Sequence, residues 1–172
     1  FLASTAASGP ILLRGDPAHP LDYNIYAKNS LHGLTAQHGG EATYDGFTIR
    51  GDANCTLING LEKGIQVIKN VWMGQGSTAS ISAYGAAGGS VVTLDGTLTL
   101  IGNGFMAVAT AIEDGTLIFA PGCAINANNN MDFGVMINLM HADSWTEGSP
   151  PSFSGFENST GTKFNNYYQA FI

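Results

Sequence analysis

Charge is scarce in this chain. Asp, Glu, Lys and Arg make up 11% of its 172 residues, less than half the usual share. Cations are scarcer still, with six Lys plus Arg against thirteen Asp plus Glu and a formal net charge of −7. Binding a phosphate backbone needs clustered cations, so the composition argues against nucleic acid as a partner. The same deficit argues against an anionic membrane surface. No apolar run approaches the ~18 residues of a membrane span, so no membrane insertion is expected. There are two cysteines, Cys55 and Cys123. They are too few for a disulfide scaffold, and no CxxC pair is present. Each follows a Gly/Asn turn and is expected to be a small buried residue, with a disulfide between them as the other reading. Helical pattern is missing too: in "INGLEKGIQVIKN" the charges are interrupted by Gly60 and Gly64. The opening "FLASTAASGP" has no basic n-region and is shorter than a complete signal peptide. Residues 1–10 read as an N-terminal extension, either a mature end or an internal cut. No phosphate-binding Gly-rich loop, GxSxG elbow or Ser/His/Asp arrangement occurs, and no cofactor is expected.

Glycine is abundant, at 23 residues, and apolar residues reach 44%. A chain this apolar is not disordered, and its length suits one domain with a substantial core. Low charge with much Gly, Ala, Asn, Ser and Thr fits an extended β architecture with many tight turns.

Short β-branched or aromatic runs enter a Gly or Asn again and again: "ILLRGD", "FTIRGD", "IQVIKN", "SISAYG", "LTLIGN", "LIFAPG" and "MINLMH". Their turns fall near 15, 51, 70, 85, 102, 122 and 140, a step of roughly 18 residues if "LHGLTA" fills the first gap. A longer echo links "GGEATYDGFTIRG" (39–51) to "GGSVVTLDGTLTLIG" (88–102), and "LDGTLTLIGNG" to "EDGTLIFAPGC". Coils of that kind cannot bury their apolar side chains alone. Stacked in parallel, they form a continuous core. Alternation in "TLTLI" then puts Leu inside and Thr outside. The expectation is an all-β, single-stranded right-handed parallel β-helix spanning 1–172, with about nine coils of ~18 residues and a length of roughly 43 Å. Asp-Gly pairs also mark hairpins, so an antiparallel β-sandwich is the alternative. Residues 144–155, "SWTEGSPPSFSG", read as a loop excursion.

The only two arginines, Arg14 and Arg50, each open an Arg-Gly-Asp. An exposed copy could meet an integrin. Equivalent outward positions at two strand ends, followed by a coil corner, account for both copies.

The stretches "KGIQVIKN", "GGSVVTLDGTLTLIGNG" and "GTKFNNYYQAFI" resemble coils of right-handed parallel β-helices. Such coils occur in phage tail fibres and tailspikes and in secreted bacterial proteins of the pectate-lyase-like superfamily. The resemblance covers roughly 39–172 and rests on stacking motifs, not catalytic ones. It implies an extracellular, elongated protein of a virion or cell surface. It also implies self-association, as a homotrimer or an end-to-end polymer, and frequent contact with surface polysaccharide. No catalytic motif of those families is matched, so no functional residue is carried over.

Three functions follow as expectations: a non-catalytic structural and receptor-binding fibre module, a self-assembling filament or adhesin subunit, and a polysaccharide-degrading tailspike. An enzyme of the last kind, a glycoside hydrolase or polysaccharide lyase, needs two carboxylates about 5–10 Å apart. Asp95 and Asp114, with Glu113 beside the latter, meet that need if nineteen residues make one coil; initiation of a turn before each strand is the plainer account. His32, His38 and Glu41 lie within ten residues but lack metal-site spacing, so no metal is expected. Ligand-binding candidates are the aromatics Trp72, Trp145, Tyr167 and Tyr168, whose faces stack on sugar rings. Core or interface anchoring is the other reading of Trp72. Asn54 and Asn158 fit the N-glycosylation pattern.

Overall fold

The computed structural model describes residues 2–27, 32–51, 56–75, 80–101, 105–127, 136–139, 143–146, 152–154 and 165–166. Their strands follow one another in threes. The first coil holds β1 (Leu2–Ser4), β2 (Ile11–Arg14) and β3 (Asn24–Ala27). The second holds β4 (His32–Ala36), β5 (Glu41–Asp45) and β6 (Thr48–Gly51), and the third β7 (Thr56–Gly60), β8 (Ile65–Lys69) and β9 (Trp72–Gln75). The fourth comprises β10 (Ser80–Ala87), β11 (Val91–Asp95) and β12 (Thr97–Ile101). The fifth comprises β13 (Phe105–Ile112), β14 (Thr116–Phe119) and β15 (Ala124–Ala127). Strands β16 (Met136–Leu139), β17 (Asp143–Thr146) and β18 (Ser152–Ser154) make the sixth, and β19 (Asn165–Asn166) begins another.

Every third strand pairs, always in parallel. Sheet A is β1-β4-β7-β10-β13-β16-β19, sheet B runs from β2 through β5, β8, β11 and β14 to β17, and sheet C runs from β3 through β6, β9, β12 and β15 to β18. The molecule is a parallel β-solenoid, and no antiparallel pairing occurs among the described residues.

The coil is longer than the sequence suggests. Along one row of sheet B, Ile11 pairs with Ala42, then Gln66, Val92, Leu117 and Ser144, in steps of 31, 24, 26, 25 and 27 residues. Among the described residues, six coils with steps of 24–31 residues replace the expected nine of ~18. The physical reason is that each coil turns at more than one punctuated corner. Spacings taken between different corners are shorter than a coil.

Two of these corners position the outer surfaces. Between sheets A and B, consecutive residues are left-handed in each of four coils: His38 and Gly39 (φ 51° and 73°), Glu62 and Lys63 (48° and 65°), Gly88 and Gly89 (60° and 70°), Glu113 and Asp114 (51° and 61°). Between sheets B and C the left-handed position is Gly46, Asn70 or Gly96 in the second to fourth coils and Gly122 in the fifth. Asn is one of the few non-glycine residues that tolerate that conformation, and here its side chain bridges the neighbouring coils: Nδ2 donates to Asp45 Oδ1 (3.1 Å), and Oδ1 accepts from the Thr97 N–H (3.2 Å).

Period-two alternation fills the interior. Sheet B sends in Tyr44, Ile68, Val92, Leu94, Leu117 and Phe119, and sheet C sends in Ile49, Met73 and Leu100, all buried. Ile49, Met73 and Leu100 lie on one ladder in successive coils. Burying each such side chain is worth about 1.5–3 kcal/mol. Cys123 is free and buried, and Cys55 lies outside the described residues. Burial, with a smaller contribution from Asp95, pushes the Cys123 thiol up to about 12. In a Cys55→Ser background, Cys123 is therefore expected to resist a thiol-specific disulfide reagent at pH 8 until denaturant is added. Prompt reaction of the native protein would show that the thiol is accessible.

The stretches set apart in the sequence lie within this framework. Residues 1–10 include β1, which pairs with β4. Residues 144–155 contain most of β17 and all of β18, with 147–151 and 155 outside the described residues. The two arginines are not equivalent: Arg14 ends β2 in sheet B, whereas Arg50 lies in β6 of sheet C.

Candidate functional site

The carboxylates proposed from the sequence do not meet. Asp95 ends β11 at the B–C corner, while Glu113 and Asp114 form the exposed A–B corner before β14. Since Val91 pairs with Thr116, Asp95 and Asp114 sit at opposite ends of sheet B, more than about 13 Å apart. Nineteen residues fall short of one coil, so the expected stacking is lost. Asp95 Oδ2 instead pairs with Lys69 Nζ at 2.7 Å, and Asp95 Oδ1 accepts from the Gly96 N–H at 2.7 Å. Both bonds hold it as a structural carboxylate.

The histidines are dispersed as well. His38 contacts Glu62 across an open, shallow groove at the A–B corner, lined also by Gly39, Lys63 and Gly88. His32 begins β4, and burial lowers its pKa. With Asn59 Nδ2 donating to the Gly85 carbonyl (2.9 Å), Asn59 Oδ1 accepts from His32 Nδ1–H at 3.1 Å. Among the described residues no group of three His, Cys, Asp or Glu could hold a metal. In the first Arg-Gly-Asp, Arg14 Nε pairs with Asp45 (3.2 Å), and Asp16 accepts from the Ala18 N–H (2.9 Å) and meets His19 Nδ1 (3.0 Å). Asp52 of the second copy lies outside the described residues.

Of the aromatic candidates, Trp72 is the one whose side chain is described. Register places it on the outer face of sheet C in the row Asn24, Thr48, Trp72, Thr99 and Asn126. It is half-buried, between the buried Thr48 and Thr99. Thr48 Oγ1 donates to the Pro20 carbonyl (2.9 Å), which ties the 3-10 turn Pro20–Asp22 to this face. The parallel row is Tyr26, Arg50, Gly74 and Ile101. A Cβ on Gly74 would lie 3.0 Å from Ile101 Cγ1 and 3.3 Å from Arg50 Cγ. Its absence lets those two side chains close over the strand beside Trp72.

Of the five exposed large apolar side chains of the described residues, Tyr26 (56%) stands on this face, whereas Leu21 (47%) lies in the 3-10 turn and Tyr23 (52%) follows it, its side chain 3.1 Å from where a Cβ on Gly15 would be. Arg50 makes no ion pair among the described residues. Trp72 was legible as a candidate from its residue type; Tyr26 and Arg50 were not, because their pairing in the adjacent row depends on register. Trp145 lies in β17, opposite Ile118 in sheet B. Tyr167, Tyr168, Asn54 and Asn158 fall outside the described residues.

An aromatic ring, a planar guanidinium and amide side chains on a rigid sheet can stack on a sugar and donate to its oxygens. They supply no acid–base pair. Comparisons with family models, with curated proteins and with solved structures find no match to this chain.

Proposed function

We propose that this solenoid is a non-catalytic, extracellular structural and receptor-binding fibre module, of the phage tail fibre or tailspike kind. Its outer sheet C face binds surface polysaccharide. The observation that carries the reading is the row of Trp72 on the outer face of sheet C, with Arg50 and Tyr26 in the adjacent row of the same sheet. Parallel ladders hold each rung at a fixed ~4.8 Å spacing, which matches an extended polymer better than a compact ligand. The separation of Asp95 from Asp114, and the engagement of Asp95 by Lys69, favour binding over cleavage.

Titration with bacterial surface polysaccharides, followed by tryptophan fluorescence and calorimetry, tests this. A binding polysaccharide is expected to perturb the emission. Trp72→Ala is expected to weaken binding about tenfold or more, equal to ~1.4 kcal/mol, with the melting temperature measured alongside. Affinity unchanged in Trp72→Ala would remove sheet C from the reading. Release of new reducing ends would overturn its non-catalytic part.

A further inference from the structure

The outer face of sheet B carries a pattern that neither the fold nor the sheet C platform requires. At the end of its strands four charged residues lie in register in successive coils: Arg14 opposite Asp45, Asp45 opposite Lys69, Lys69 opposite Asp95. Their signs alternate, plus, minus, plus, minus. Beside this ladder runs the row Leu12, Thr43, Val67, Thr93 and Ile118. The next row begins Glu41, Ile65, Val91 and Thr116. Leu12 (64%) and Ile65 (45%) are the two exposed large apolar side chains of the described residues that sheet B contributes. The face thus mixes aliphatic side chains with threonines, with Glu41 toward one edge and the line of alternating charge along the other.

Within the chain, alternating signs suppress like-charge repulsion between neighbouring rungs, and Arg14–Asp45 and Lys69–Asp95 form ion pairs. The order has a second property. Reversed end to end, plus-minus-plus-minus becomes minus-plus-minus-plus. A copy of the ladder turned about a two-fold axis parallel to the strands, between the second and third coils, sets an opposite charge against every rung. Arg14 faces Asp95 of the second copy, and Asp45 faces Lys69 of the second copy. Each contact recurs with the roles exchanged, as an isologous interface demands. The same rotation lays Leu12 against Thr93, Thr43 against Val67 and Ile65 against the stem of Glu41 of the second copy. A parallel apposition, by rotation about the solenoid axis, reverses the strands and carries each ladder to the opposite edge, away from its counterpart.

We infer that sheet B is a self-association surface, and that its occupant is a second copy of this chain in antiparallel, face-to-face register. Side-by-side pairing of this kind differs from a threefold bundle and from end-to-end stacking. It leaves the Trp72 face of both copies open.

Sedimentation velocity on the whole chain over 1–200 µM tests the inference, with far-UV circular dichroism and thermal melts to confirm folding. Wild type is expected to form dimers whose dissociation constant rises with salt, since exposed charge pairs are screened. Val67→Lys, at the centre of the apolar row, is expected to weaken the dimer at least tenfold at unchanged melting temperature. The decisive variant inverts the ladder: Arg14→Asp, Asp45→Arg, Lys69→Asp and Asp95→Arg. It keeps the alternation within the chain and is expected to dimerise with itself. Native mass spectrometry of its mixture with wild type is expected to show homodimers and at least tenfold fewer heterodimers than random exchange gives. A wild type monomeric throughout, a trimer, a dimer indifferent to Val67→Lys, or random heterodimer exchange would each overturn the inference. If the inverted chain does not fold, Lys69→Glu takes its place. It sets like charge against Asp45 of the second copy and is expected to weaken the dimer at least tenfold; an unchanged dimer would overturn the inference.

Discussion

Replacing Gly64 with alanine is expected to destabilise the protein by about 4 kcal/mol, at the upper end for a point substitution, and to lower the melting temperature by roughly 10 °C. Gly64 is buried and follows the left-handed pair Glu62 and Lys63. A Cβ there would land on the carbonyl of Ala36 in the preceding coil. That obstacle is backbone, and it is pinned, because the Ala36 carbonyl accepts from the Leu61 N–H at 2.9 Å. Gly64 N–H in turn donates to the Leu61 carbonyl (2.9 Å), and Ile65 N–H to the Gly40 carbonyl (2.9 Å). Relief of the clash must therefore break the corner ladder. Gly89 provides the contrast: it is exposed, and the nearest atom to a Cβ there is Lys63 Cγ at 3.8 Å. Gly89→Ala meets only the left-handed penalty of about 1–2 kcal/mol. Urea titration of both variants checks the ranking. A loss below about 1 kcal/mol in Gly64→Ala would mean that the coils are not in the contact described.

The second large effect is a coupling between coils. Ala36, Gly60 and Ala86 are register partners at the ends of β4, β7 and β10. Corner residues Gly64, Ser90 and Gly115 each lie against one of them. Where the partner is alanine the corner is glycine: a Cβ on Gly115 would strike the Ala86 carbonyl, as one on Gly64 strikes Ala36. Where the partner is Gly60 the corner is Ser90, which uses the space. Ser90 Oγ donates to the Gly60 carbonyl (2.9 Å) and accepts from the Ala87 N–H (2.8 Å). A Cβ on Gly60 would lie 2.9 Å from Ser90 Oγ and 2.9 Å from Val92 Cγ2. Gly60→Ala alone is expected to cost about 2–3 kcal/mol by overpacking. Ser90→Gly alone should cost about 1–2 kcal/mol for its buried hydrogen bonds. The double variant restores the alanine-over-glycine arrangement of the neighbouring coils. It is expected to be more stable than the sum of the singles by about 1–2 kcal/mol. Strict additivity in a double-mutant cycle would show that the two positions do not touch.

The same corners explain how far the sequence could be read. Repeated strand-turn cassettes and inward alternation in "VVTLDGTLTLI" correctly implied stacked parallel coils, since both depend on short-range order along the chain. The echo between 39–51 and 88–102 was real, but it spans two coils: Asp45 and Asp95 both pair with Lys69, which lies between them. The intervening copy hid because Asn70 stands where its neighbours have Gly46 and Gly96. Turns drawn from different corners then gave too short a period. That error stacked Asp95 on Asp114 and made equivalents of Arg14 and Arg50.

The amino-acid order by itself pointed to an all-β chain of short strands around an apolar interior, and favoured parallel stacking over an antiparallel sandwich. Those properties follow from alternation, turn residues and composition, which act over a few residues. Only the tertiary structure decided which residues stand over one another. The row Arg14, Asp45, Lys69 and Asp95, and the placing of Tyr26 and Arg50 in the row next to that of Trp72, come from a coil length that varies between turns. Uneven spacing leaves no periodic trace in a linear sequence, whereas hydrogen-bonded ladders bring such residues into register.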